Sequence, residues 1–308
     1  MSPLLSMPQT MSLRLDVPTT NSLRGISILI IVVFHVLLYF DISPVFNLPG
    51  SVAVAAFLFL SGYGINESWK KKGLSGYWRK KFRRVIVPYY LFLIILTAIQ
   101  GTFRWRDFLL DITFVHSSFW FVEYLVRCYL VFWIARRFFP RHVSAVFIIF
   151  GLLSLNCFMQ MEAEQSFSFF CGLLVSEHIN KVGQADRKCY LRVSMICFAV
   201  GAFFYLFKAL PVIHQFKGTL GYNYILLLIK RPLAVCLILL PSFFRSMSSW
   251  KAVRVCGKCS LELYLVHLPL IDLIHYSAEG LAVYVLLTVV LTVLFYQFDT
   301  KVMPYIIR

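Results

Sequence analysis

Residues 23–40 read Leu23-Arg24-Gly25-Ile26-Ser27-Ile28-Leu29-Ile30-Ile31-Val32-Val33-Phe34-His35-Val36-Leu37-Leu38-Tyr39-Phe40. Arg24 is the one full charge in this stretch, and His35 is the other side chain that is costly to bury. A helix rises 1.5 Å per residue, so about 20 apolar residues cross a bilayer core of about 30 Å. The stretch therefore reads as a transmembrane helix. Nine further apolar runs follow, at 50–66, 85–101, 118–135, 143–159, 166–178, 190–207, 222–243, 256–275 and 280–298. The sixth is short, and the eighth carries Lys230, Arg231 and Pro232 near its middle. The expected fold is an all-α polytopic membrane bundle of about ten transmembrane helices. Composition agrees: 59% of the 308 residues are hydrophobic and only 14% charged. A soluble domain carries about 25% charged residues and needs them to cover its outside.

The chain has 30 Lys and Arg against 14 Asp and Glu, for a net charge of +16. Their distribution points to topology rather than to nucleic acid. With a cytoplasmic N-terminus and ten spans, 23 cations fall on the cytoplasmic side, 4 on the other, and Arg127, Lys230 and Arg231 lie within helices. That asymmetry is the positive-inside pattern and predicts both termini in the cytoplasm. Residues 1–22 are polar and rich in Ser, Thr and Pro, with no small-residue cleavage site before the first apolar run, so that run reads as a retained helix rather than a leader. The organisation expected is a cytoplasmic segment over 1–22, a membrane domain over 23–300 and a cytoplasmic tail over 301–308. Most of the eight cysteines sit in apolar runs. Cys256-x-x-Cys259 has metal-ligand spacing but no second pair, so no metal is expected.

Ionisable groups inside membrane helices are expensive and mark functional sites by default. Arg24 and His35 are 11 residues apart, close to three helical turns, so they share one face about 16 Å apart along the axis. A helix face that offers a cation at one end and an imidazole deeper in the membrane suits acid–base chemistry beside an anion site. Glu123 and Arg127 stand four apart, where an ion pair forms; a neutralised structural pair is the plainer reading. Glu262 and His267 lie about 140° apart around one helix, and both can reach the bundle interior. The basic run from Arg79 to Arg84 sets topology, and Lys81, Arg83 and Arg84 beside the bilayer also suit phosphate.

These residues carry a family resemblance. The first helix, with its Arg24, ten residues and His35, resembles the opening of the membrane-bound acyltransferase-3 family. Phe59-Leu60-Ser61-Gly62-Tyr63 is similar to that family's Ser-Gly-aromatic motif. The basic run ending in Arg83-Arg84-Val85-Ile86-Val87-Pro88, the Phe119-Trp120-Phe121 start of the fourth helix and Phe169-Phe170-Cys171-Gly172 resemble later motifs, in order. Ser260-Leu261-Glu262-Leu263-Tyr264-Leu265-Val266-His267-Leu268-Pro269 is close to the late Tyr-Leu-x-His-x-Pro stretch. Asn21 stands where many members carry Asp, and Lys80/Arg83 and Lys81/Arg84 stand where many carry Arg-x-x-Arg.

The resemblance implies a stand-alone O-acyltransferase of a bacterial inner membrane. It would move an acyl group, most often acetyl, from acyl-CoA to a hydroxyl of a cell-surface polysaccharide or its lipid-linked precursor. No bound cofactor is implied; acyl-CoA is a co-substrate. His35 would be the catalytic base; Arg24, on the same helix face, would hold the CoA phosphates together with Lys81, Arg83 and Arg84. Ser61, Gly62, Tyr63, Trp120, Glu123, Glu262, Tyr264 and His267 would line the substrate path, with core packing the alternative for Trp120 and Tyr264. The residues themselves leave a second class open, a transporter or flippase for an envelope glycolipid, because Glu123, Lys230 and Arg231 lie within helices. Acceptor and oligomeric state are not legible.

Overall fold

The computed structural model describes residues 13, 15–42, 47–101, 104–114 and 119–306. Among them every regular element is helical. Arg14, counted above with the cytoplasmic cations, lies outside the described residues.

The helices run in order α1 (Val17–Tyr39), α2 (Asn47–Lys72), α3 (Tyr77–Lys81), α4 (Val87–Gln100), α5 (Trp105–Ile112) and α6 (Trp120–Phe138). Then come α7 (Val143–Cys157), α8 (Gln160–Ala163), α9 (Ser168–Glu177), α10 (Ile179–Gly183), α11 (Arg187–Lys208) and α12 (Pro211–His214). The last are α13 (Leu220–Leu239), α14 (Lys251–Lys258), α15 (Ser260–His267), α16 (Ala278–Lys301) and α17 (Met303–Ile306).

Helix α1 begins at Val17, six residues before its apolar run. Asp16 caps it by accepting from the Thr19 amide at 2.9 Å, and Pro18 occupies the first turn, where a missing N–H costs nothing. The extra turn is polar, yet Thr19, Thr20 and Ser22 are buried; Ser22 Oγ donates to the Met247 carbonyl at 2.9 Å. Hydropathy alone does not see such a turn, because its polar groups are satisfied inside the protein.

Six segments are long and apolar enough to cross a membrane: Val17–Tyr39, Leu48–Lys72, Tyr77–Ile99, Arg187–Lys208, Leu220–Ser242 and Ala278–Lys301. Each coincides with one of the ten expected spans. In Arg187–Lys208 and Ala278–Lys301 only 11% and 17% of the apolar window is buried in protein, so most of their Val, Leu, Ile and Phe side chains face outward. Water does not tolerate apolar surface on that scale, and lipid does.

The other four expected spans hold helices that depart from the simple pattern. Helix α6 carries Glu123, Arg127, Arg136 and Arg137. Helices α7 and α9, with 15 and 10 residues, fall short of a bilayer's thickness. The run 256–275, expected as one helix, is broken. Helix α14 ends at Lys258, α15 ends at His267, and a 3-10 turn spans Ile271–Ile274. Pro269 accounts for the second break, since it has no N–H to bond back into the helix.

Helices α1 and α2 form the centre. Helix α1 packs on α2, α14 and α15, and α2 packs on α9 and α13. The α2–α9 contact is built on two glycines. A Cβ on Gly62 would lie 2.0 Å from the Phe169 carbonyl oxygen, and one on Gly172 would lie 2.0 Å from that of Phe59. The backbones therefore touch, as small residues allow in membrane bundles.

Candidate active site

The packing of α1 against α15 brings together two histidines 232 residues apart in sequence. His35 Nδ1 and His267 Nε2 are 3.1 Å apart, with ring centroids 5.0 Å apart. His267 is fully buried at 0% exposure, and its Nδ1 lies 3.0 Å from the Leu263 carbonyl oxygen. A carbonyl only accepts, so His267 Nδ1 carries the proton and donates. A buried imidazole away from any anion is neutral, so its Nε2 is an acceptor. His35 Nδ1–H therefore donates to it, and the lone pair of His35 falls on Nε2. The arrangement fixes His35 as the tautomer whose free nitrogen is a base.

Behind the pair stands a wall of aromatics. The Tyr264 ring lies 5.9 Å from His267, 5.2 Å from Phe121 and 6.2 Å from Phe119. Two motifs distant in sequence thus meet as one packing unit. Trp120, between those phenylalanines, packs edge-on against Phe121 at 6.3 Å at the margin of the same core.

Toward the other end of α1, Arg24 lines a cavity of about 800 Å³, within the usual range for a small-molecule site. Ser61, Tyr63, Lys80, Lys81 and Tyr129 line it too. Arg24 crosses α2, and its Nη2 donates to the Leu60 carbonyl at 3.4 Å. Lys81 Nζ sits 3.8 Å over the Tyr129 ring. Four cations, Arg24, Lys71, Lys80 and Lys81, face the cavity with two carboxylates that are already engaged. Asp16 caps α1, and Glu67 accepts from Lys70 at 2.8 Å. The surplus positive charge suits phosphate groups.

The expected site residues thus divide. Arg24, Ser61, Tyr63 and Lys81 share the cavity wall; His35, His267 and Tyr264 share the imidazole centre. Arg83 and Arg84 are outside the cavity lining. They lie in a π-helical turn, Phe82–Ile86, which leads into α4 where Pro88 removes a backbone donor. Gly62 faces α9. Glu262 is buried, and one of its carboxylate oxygens has no hydrogen-bond partner among the described residues.

Glu123, 1% exposed, pairs with Arg127, which also donates to Glu162 at 3.0 Å. Glu162 follows α7 and was invisible as a partner in sequence. Its burial pushes the carboxyl up, and Arg127 pulls it down. Lys230 pairs with Glu164, and Arg231 donates to the Glu164 carbonyl at 3.3 Å. Arg127 and Lys230 thus have carboxylate partners, whereas Arg231 meets only a backbone carbonyl, and its Nε and Nη1 have no hydrogen-bond partner among the described residues.

The family model described as an acyltransferase domain, Acyl_transf_3, matches residues 20–297. The chain belongs to the acyltransferase-3 family. No curated protein and no solved structure matches it. Within this acyltransferase, two features went unread in the sequence. Tyr129 carries no motif of its own. The His35–His267 bond joins two motifs whose spacing says nothing of their meeting.

Proposed function

We propose that this membrane acyltransferase is an O-acetyltransferase of a bacterial inner membrane, with ten spans and both termini in the cytoplasm. It takes acetyl from acetyl-CoA and gives it to a hydroxyl of a cell-surface polysaccharide or its lipid-linked precursor. One observation carries the reading: His35, hydrogen-bonded to His267 of α15, stands on the same helix whose other end, at Arg24, lines a basic cavity.

The CoA phosphates lie among Lys80, Lys81 and Arg24, and the thioester extends along α1 toward His35. His35 Nε2 takes the proton of the acceptor hydroxyl as its oxygen attacks the thioester carbonyl. The C–S bond then breaks, and the imidazolium returns the proton to the departing CoA sulfur. His267 holds the imidazole in the required tautomer. The transport reading has less to rest on, because two of the three buried charges that suggested a substrate path, Glu123 and Lys230, have partners in Arg127 and Glu164.

Mass spectrometry of envelope glycans tests this directly. A deletion strain is expected to lack one acetyl mass on a defined sugar. Complementation with wild type restores it, and His35→Ala, confirmed to insert, does not. Full acetylation with the alanine variant sinks the mechanism.

A further inference from the structure

Beyond the end of α1 farthest from Arg24, the chain makes a tight, irregular turn between α15 and α16. His275 and Tyr276 both have positive φ, 45° and 50°, and Asp41, just past α1, has φ 52°. Such backbone is strained for a non-glycine residue and gathers at functional sites. The turn is nonetheless firmly built. Ile274 is fully buried, Ser277 Oγ caps α16 by accepting from the Gly280 amide at 3.0 Å, and a Cβ on Gly280 would lie 2.1 Å from the Ile274 carbonyl oxygen.

What the turn holds out is Tyr276, 69% exposed. Its ring stacks on Tyr39 with centroids 4.7 Å apart and 28° between planes, and Phe40 meets it edge-on at 5.8 Å. Tyr39 follows His35 by four residues, so it shares the His35 face about 6 Å farther along the helix. Tyr and Trp are in any case enriched at membrane–water interfaces. Here a strained backbone positions one aromatic on another, beside the imidazole pair.

We infer that the Tyr39–Tyr276 stack is the acceptor subsite, which holds a pyranose ring against the free face of Tyr276 with a hydroxyl directed at His35. This rests on the acyltransferase reading. The C–H face of a sugar packs on an aromatic ring, and the phenol hydroxyls offer hydrogen bonds; Asp41, two residues after Tyr39, and Asp272, four before Tyr276, are also exposed. The stack lies at the opposite end of α1 from the donor cavity, so donor and acceptor approach His35 from two sides.

The test uses the full chain in lipid nanodiscs with methyl glycosides of glucose, galactose and N-acetylglucosamine as probes, read by saturation-transfer NMR. Wild type is expected to saturate at least one glycoside. Tyr276→Ala is expected to weaken that binding by about three- to tenfold. Tyr276→Trp restores it, and Tyr305→Ala, which removes an aromatic 75% exposed elsewhere, leaves it unchanged. Absence of saturation in wild type, an unchanged signal in Tyr276→Ala, or an equal loss in Tyr305→Ala overturns the assignment. Acetyl-CoA hydrolysis by wild type against His35→Ala reports separately on the acyltransferase reading, since it needs no sugar.

Discussion

His267 decides what His35 is able to do. Without it His35 Nδ1–H loses its side-chain acceptor. His267→Ala is therefore expected to lower kcat by about 10²–10³-fold, within the usual worth of a positioned base, while KM for acetyl-CoA stays near wild type. His267→Gln recovers part of the loss, because its side-chain oxygen accepts from His35 Nδ1–H. A merely structural role would instead lower the amount of folded protein and gain nothing from Gln. In the proposed reaction Lys81 binds the donor. Lys81→Ala removes a cation from the cavity wall and is expected to raise KM for acetyl-CoA by about tenfold or more, with kcat little changed. Arg83→Ala and Arg84→Ala, outside that wall, are expected to do less; equal effects would place the phosphates on the π-helical turn instead.

Helix pairs, rather than single side chains, explain the motif glycines. Gly62→Ala drives a methyl into the Phe169 carbonyl, and no rotamer relieves a backbone contact. The α2–α9 pair must separate, and a loss of about 1–3 kcal/mol is expected, read as a lower melting temperature in detergent. Gly64→Ala meets only the Arg24 guanidinium at 3.3 Å, the far end of a flexible side chain. It is expected to leave stability near wild type. Equal destabilisation would refute this account of Gly62. Such contrasts mark the limit of what the chain reveals before folding. The Arg24–His35 face followed from helix arithmetic, because both residues lie on one regular element. The places of six spans followed from apolar runs. Pro269 marks its own break, but nothing in the run shows the one at Cys259, or that Gly62 meets α9 instead of the cavity. Those outcomes depend on partners supplied by other helices.

At the scale of the molecule, the proposed topology puts the two ends of α1 on opposite sides of the membrane. In intact cells, a membrane-impermeant thiol reagent is expected to label a cysteine placed at Asp41 in a background lacking the native cysteines. A cysteine at Gly73, after α2, is labelled only once the cells are permeabilised. The reverse pattern would invert the orientation and put the basic cavity outside, away from any acyl-CoA.

The two imidazoles are 232 residues apart, and Ser22 finds its partner at Met247, 225 residues on. A ribosome delivers the first helix long before the fifteenth. Throughout most of translation the nascent protein displays its base without the neighbour that gives it direction. In the proposed mechanism, chains cut short before His267 lack the acceptor for His35 Nδ1–H and are expected to turn over thioester more slowly than the full chain.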